Sequence, residues 1–289
     1  MAISAALLHG EPSAFSGGFE LHPSVVIGCL ALVGSYLWVI GAGRVRHGWS
    51  DRPVERWRIA SWMTAVVLVF LSLNGPLHEL SDYFLFSAHM TQHILLMMVM
   101  PPLLVLGLPP GFVRWAVRAD RRVLKVGRLL THPVAAFVAY NLVFLGWHFP
   151  GAYNAALENH QLHIVQHLMF IAVATMMWWP VIAPAPELER IPDGPLLMLY
   201  VFAFGIPTTI LSAFITMSES LFYGFYGEAA RVSSLSAMED QRLGGLLMWI
   251  PGMLIFWTAI TGIWLRWTRE EYVEWRQEAR EAAAAAARP

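Results

Sequence analysis

An all-α membrane bundle of seven transmembrane helices is the fold this sequence predicts, and three observations predict it. Only 13% of the 289 residues are charged while 57% are apolar, where a soluble domain carries roughly a quarter charged residues. Seven apolar stretches approach the length of about 20 residues that a helix needs to cross the hydrocarbon core. The basic residues crowd into alternate connections between those stretches, as a chain that crosses a bilayer back and forth requires.

The stretches run over 23–43, 58–76, 84–108, 133–150, 162–183, 195–217 and 241–266. Residues 1–22 hold no Lys or Arg and no apolar run of the signal-peptide kind, so they read as an extracytoplasmic tail ahead of a transmembrane domain at 23–267. Pro101-Pro102, Pro207 and Pro251 fall inside the third, sixth and seventh stretches, where each is expected to kink its helix. Residues 268–289 mix Glu with Arg and then turn Ala-rich, which predicts a cytoplasmic helical tail continuing from the last span. Trp147, Trp178, Trp179, Trp249, Trp264 and Trp267 stand near span ends and read as interface anchors.

The arginines set the orientation. Arg44 to Arg58 fill the first connection, Arg114 to Arg128 with Lys125 the third, Arg190 the fifth, and Arg266 to Arg288 the C-terminal segment. Together these hold 17 of the 19 basic residues, leaving Arg231 and Arg242 opposite. The N-terminus is therefore expected outside and the C-terminus in the cytoplasm. Spans 2–3 and 4–5 read as a duplicated helical hairpin, since each pair ends in a span that opens on the same phrase.

That phrase is His89-Met90-Thr91-Gln92-His93 in one copy and His163-Ile164-Val165-Gln166-His167 in the other. Positions i and i+4 share one face of a helix, so each copy offers two imidazoles aimed one way. With the expected topology, His78, His89, His93, His148, His160, His163, His167 and Asp240 all gather at the outer face. His160 breaks the spacing and His78 has no helical partner, which sets them apart from the two pairs. A single histidine at a membrane interface is ordinarily an amphipathic residue bonded to a loop. Repetition of the whole pair in the same register favours function, because ionisable groups inside a membrane are costly to bury. Gln92 and Gln166 read as interhelical packing residues, with hydrogen bonding to a ligating histidine as the alternative.

Neutral imidazole ligates copper, zinc, iron and nickel, and the nearby Met90, Met97, Met98, Met100, Met169, Met176 and Met177 lean the choice toward copper. Haem b held between His93 and His167 is the alternative, although it leaves one histidine of each pair unused. A quinone or proton-relay enzyme and a scaffold in which the histidines only pack the bundle are further readings. Cys29 is the single cysteine, which excludes an intrachain disulfide and a thiolate cluster. No nucleotide motif, nucleophile–base arrangement or nucleic-acid signature is present.

Four stretches carry a resemblance. They are Ser87-Ala88-His89-Met90-Thr91-Gln92-His93-Ile94-Leu95-Leu96 leading into Pro101-Pro102-Leu103-Leu104, then Trp147-His148-Phe149-Pro150, then 163–167, and last 240–251 beginning Asp240-Gln241-Arg242-Leu243-Gly244-Gly245. Together they resemble the CtaG family of multispan cytochrome c oxidase assembly factors, of the kind associated with caa-type oxidases. The resemblance implies a non-enzymatic protein of the bacterial plasma membrane that supplies copper to a haem–copper oxidase, with the catalytic subunit as client. A periplasmic copper chaperone is a further partner to expect. His89, His93, His148, His163, His167 and Asp240 stand at matching motif positions and are the expected metal ligands.

Overall fold

The structure, a computed structural model, describes residues 15–182, 184–185, 187–188 and 191–286. Most of the expected N-terminal tail, with His9, and the expected cytoplasmic Arg190 and Arg288 lie outside the described residues. Among the described residues all regular structure is helical, with no strand.

Five helices are long and apolar enough to cross a membrane: α1 (Pro23–His47), α4 (Phe86–Gly107), α9 (His160–Ile182), α10 (Pro195–Met217) and α12, which runs over Ala237–Ala286 and whose span lies in its first part. Two bent helix pairs pass the same test only when each is taken together. Helix α2 (Arg56–Ser72) meets α3 (Gly75–Tyr83) at 50°, and α6 (Arg121–Thr131) meets α7 (Pro133–His148) at 62°. The count is five spans, or seven when each bent pair is taken as one. The remaining helices are α5 (Pro110–Ala119), α8 (Pro150–Glu158) and the short α11 (Gly224–Glu228).

Both bends have local causes. After α2, Asn74 turns its amide back onto the Phe70 carbonyl at 2.8 Å while its own Oδ1 accepts from the His22 N–H at 2.7 Å. Gly75 then takes φ +68°, where a Cβ would lie 2.6 Å from the Phe19 ring, so the turn requires glycine. Between α6 and α7, Pro133 forces His132 out of the helical region to ψ 125°, the steric rule for a residue before proline. The second expected span thus ends at Ser72, and the chain continues into α3 as a separate helix carrying His78 and Asp82.

The expected proline kinks resolve differently from place to place. Pro207 and Pro251 sit inside continuous helices. Pro101 and Pro102 have no N–H to give the carbonyls of Met97 and Met98, and there α4 widens into a π segment over Leu95–Val99 instead of breaking. The connection between spans 3 and 4 holds two helices, α5 and α6, that the sequence reading left undivided. Helix α12 runs on unbroken to Ala286, well past the apolar stretch.

Helix α4 is the most enclosed of the five long spans. It packs against α12, α9, α3 and α2, while α12 also runs along α10. Two glycines allow that close packing: a Cβ on Gly244 would lie 2.3 Å from the Phe86 ring, and one on Gly245 would lie 2.3 Å from Thr216 Oγ1. Facing outward, Leu199, Phe202, Ile206, Ile210 and Phe214 make an exposed apolar stripe down α10, and Leu243, Leu246, Ile250, Leu254 and Trp257 make another down α12. Spacings of three and four residues place each stripe on one helix face. Continuous apolar stripes of this length are what a helix presents to lipid.

Candidate metal centre

The site is built where α4 and α9 begin. Helix α4 starts at Phe86 because Asp240 of α12 caps it. Asp240 Oδ2 accepts from the Phe86 N–H at 2.7 Å, while Oδ1 accepts from the Ser87 N–H at 3.2 Å and from the Ser87 hydroxyl. A carboxylate at a helix N-terminus satisfies orphan donors and complements the dipole. Helix α9 is started by Asn159, whose Oδ1 accepts from the N–H groups of Gln161 and Leu162 at 3.0 and 3.2 Å, the N-cap arrangement. These two caps fix the register of the histidines one turn further on.

All four paired histidines meet. Ring centroids of His89 and His93 are 4.1 Å apart, those of His163 and His167 4.3 Å, His93 and His167 5.3 Å, and His89 and His163 5.3 Å. One ligating nitrogen from each of His89, His93 and His163 lies within 4.8 Å of the other two. All four rings are buried, with His89 wholly enclosed.

The ring nitrogens divide into two sets. His89 Nδ1 lies 3.3 Å from the Ser81 carbonyl, and His163 Nδ1 lies 3.6 Å from Asp82 Oδ2. The Nε2 atoms of His89, His93, His163 and His167 are buried without a hydrogen-bond partner. Buried polar atoms are nearly always satisfied, so orphaned nitrogens on His89, His93 and His163 within 4.8 Å of one another, with the His167 ring packed beside them, fit a bound cation. Pinning one ring nitrogen to a carbonyl or carboxylate while the other is left for a metal is the usual arrangement around a ligating histidine.

Asp82 is the functional candidate that the sequence reading missed. It is partly buried on α3, with its Oδ1 3.3 Å from His78 Nδ1 and accepting from the Ser81 hydroxyl at 3.0 Å. Its position four residues after His78 is the same helical spacing as the histidine pairs, and that spacing was the available signal. His78 also lies 3.2 Å from Gln92 Nε2 and packs its ring edge-on against His22 at 4.4 Å. Gln92 joins three helices, donating to the Ser72 carbonyl at 2.7 Å and accepting from Ser81 Oγ at 3.2 Å. Tyr153 and Tyr226 wall the cluster, with centroids 5.2 and 6.2 Å from His89.

The remaining expected ligands take other positions. Asp240 stands at the start of α4 with both oxygens engaged in the cap, so it holds the histidine-bearing helix in place. His148 is buried at the end of α7, with Nδ1 2.6 Å from the Phe144 carbonyl and Nε2 unpartnered. Phe170 packs against both its ring and that of His93, and Tyr153 packs against both its ring and that of His89. His160 is exposed at the first residue of α9.

Comparison with known proteins adds three findings. The family model described as cytochrome c oxidase caa3 assembly factor matches residues 34–270. Uncharacterized proteins of Mycobacterium leprae and Mycobacterium bovis are each 27% identical, over 271 and 269 residues. The matches cover 86% and 85% of this chain but 39% of each relative, so the chain spans about two fifths of the length of these proteins. No solved structure matches the chain.

Proposed function

We propose, from the premise that this chain belongs to the cytochrome c oxidase caa3 assembly factor family, that it binds copper at the four-histidine cluster and passes it to the oxidase. Family membership supports the assembly role and makes the oxidase the target. The observation that carries the copper reading is the cluster of three histidines whose ligating nitrogens lie within 4.8 Å of one another, with His167 packed beside them and all four Nε2 atoms buried and unpartnered. Copper here is cargo. Neutral imidazole donors hold it without accumulating negative charge, and the Asp82 carboxylate behind His163 offsets the charge of a bound cation.

Delivery needs a site that binds without trapping. Four imidazoles with a carboxylate outside the ligand set, and no thiolate, make an exchangeable shell. In this reading the protein is non-catalytic and sits in the bacterial plasma membrane with its N-terminus outside. The two histidine-bearing hairpins descend from one duplicated unit. The cluster opens outward, where a periplasmic copper chaperone would load it, and the metal moves laterally to the oxidase catalytic subunit.

Haem b between His93 and His167 is the less favoured reading. The four rings pack in edge-on, tilted and stacked pairs with centroids within 6.5 Å, a packing that suits a single ion better than a porphyrin plane. The test compares copper content and oxidase assembly in the wild type and the His89→Ala/His167→Ala variant, with loss of both expected. A Soret band in the purified protein that disappears in His93→Ala would favour haem instead.

A further inference from the structure

His148 lacks a ring contact with the four-histidine cluster and yet has a buried, unpartnered Nε2. It lines a cavity of about 20 Å³ together with His93, Met90, Met97, Met98 and Met248. A space of this size holds one water or one ion. On α4, Met90, His93, Met97 and Met98 fall on a single helical stripe, and Met248 of α12 and His148 of α7 face them across the space. All six side chains are at least nine-tenths buried.

From this geometry we infer a second metal site, a thioether–imidazole pocket for Cu(I), adjoining the four-histidine cluster and sharing His93 as its wall. The inference rests on the copper reading above. Methionine is ordinarily core filler, and filler explains the thioethers taken alone. It does not explain two imidazoles in the same cavity, His148 with Nε2 and His93 with both ring nitrogens unpartnered and buried, because an apolar packing position costs a histidine its hydrogen bonds. Thioether and imidazole donors together select Cu(I) over harder divalent ions. The donors are all neutral, so the pocket takes a monovalent ion at smaller electrostatic cost than a divalent one. Against the nitrogen-only cluster, the pocket lies on the side of α4 where the helix widens, among the methionines of the π segment.

The test is anaerobic titration of the full-length, detergent-purified chain with Cu(I) against a chromophoric Cu(I) chelator, followed by X-ray absorption at the copper edge. The wild type should take up about two ions per chain and show sulfur as well as nitrogen scattering. Met97→Leu/Met98→Leu/Met248→Leu, a near volume-conserving change that leaves Met90 as the one thioether of the pocket, should lose about one ion and most of the sulfur scattering while keeping the nitrogen-ligated ion. His163→Gln/His167→Gln should lose the nitrogen-ligated ion and keep the sulfur-ligated one. Nitrogen-only scattering in the wild type, or unchanged uptake in the triple leucine variant, would overturn the second site and leave the four-histidine reading standing. A sulfur-ligated ion alone would overturn the four-histidine reading and leave this one. No Cu(I) uptake would overturn both.

Discussion

Asp82 Oδ2 lies 3.6 Å from Nδ1 of His163, whose other nitrogen belongs to the histidine cluster. The same carboxylate reaches His78 through its second oxygen at 3.3 Å. One acidic group on α3 therefore faces His163 of the cluster on α9 and links it to His78 of its own helix.

Removing that charge should weaken metal binding without dismantling the fold. Partners behind a ligating histidine typically contribute 10- to 100-fold in affinity, so Asp82→Asn should cost roughly that factor. Competition with a copper chelator measures it. An unchanged affinity would mean that Asp82 only packs against His163.

Asp240 makes the opposite prediction. It caps α4 and has no free oxygen to spare, so Asp240→Ala should lower stability by about 2 kcal/mol, the upper range for loss of an N-cap. Thermal unfolding in detergent reads this as a lower Tm, with copper per folded chain retained. Copper loss at unchanged Tm would make Asp240 a ligand.

These two aspartates show what the sequence could and could not reveal. The apolar stretches, the paired histidines and their meeting on two helices were legible, because helical spacing alone puts i and i+4 on one face. The role of Asp240 was not, since its partners are the backbone N–H groups of Phe86 and Ser87, and a sequence does not display which helix start will arrive opposite a carboxylate. Asp82 escaped notice because α3 read as the end of a span and the loop after it; only the break at Asn74-Gly75 makes it a helix pointing His78 and Asp82 inward. His148, expected among the ligands, shares a cavity with His93 and packs with it against Phe170, a matter of side-chain packing that motif matching does not resolve.

Gly245 should tolerate no side chain. A Cβ there would fall 2.3 Å from Thr216 Oγ1 and 3.0 Å from the Thr216 nitrogen, forcing α12 away from α10. Gly245→Ala should cost about 1–3 kcal/mol, as overpacking does. Gly252→Ala on the same helix has no heavy atom within 4 Å and serves as the control; equal Tm values for the two variants would contradict the packing described.

The proposed orientation is open to labelling. Ser234 and Lys125 are both exposed, and the single native cysteine, Cys29, is buried. A membrane-impermeant maleimide applied to intact cells should label Ser234→Cys and reach Lys125→Cys only after permeabilisation. The reverse pattern would invert the topology and place the histidine cluster on the cytoplasmic side.

The central claim is that copper sits on the four paired imidazoles, and metal analysis of the purified full-length chain addresses it most directly. Wild-type protein loaded with copper and desalted should retain nitrogen-ligated copper that a variant with His89, His93, His163 and His167 all changed to Gln does not. Loss of that copper with folding intact is the expected result; the same copper content in both proteins would contradict copper binding at these histidines.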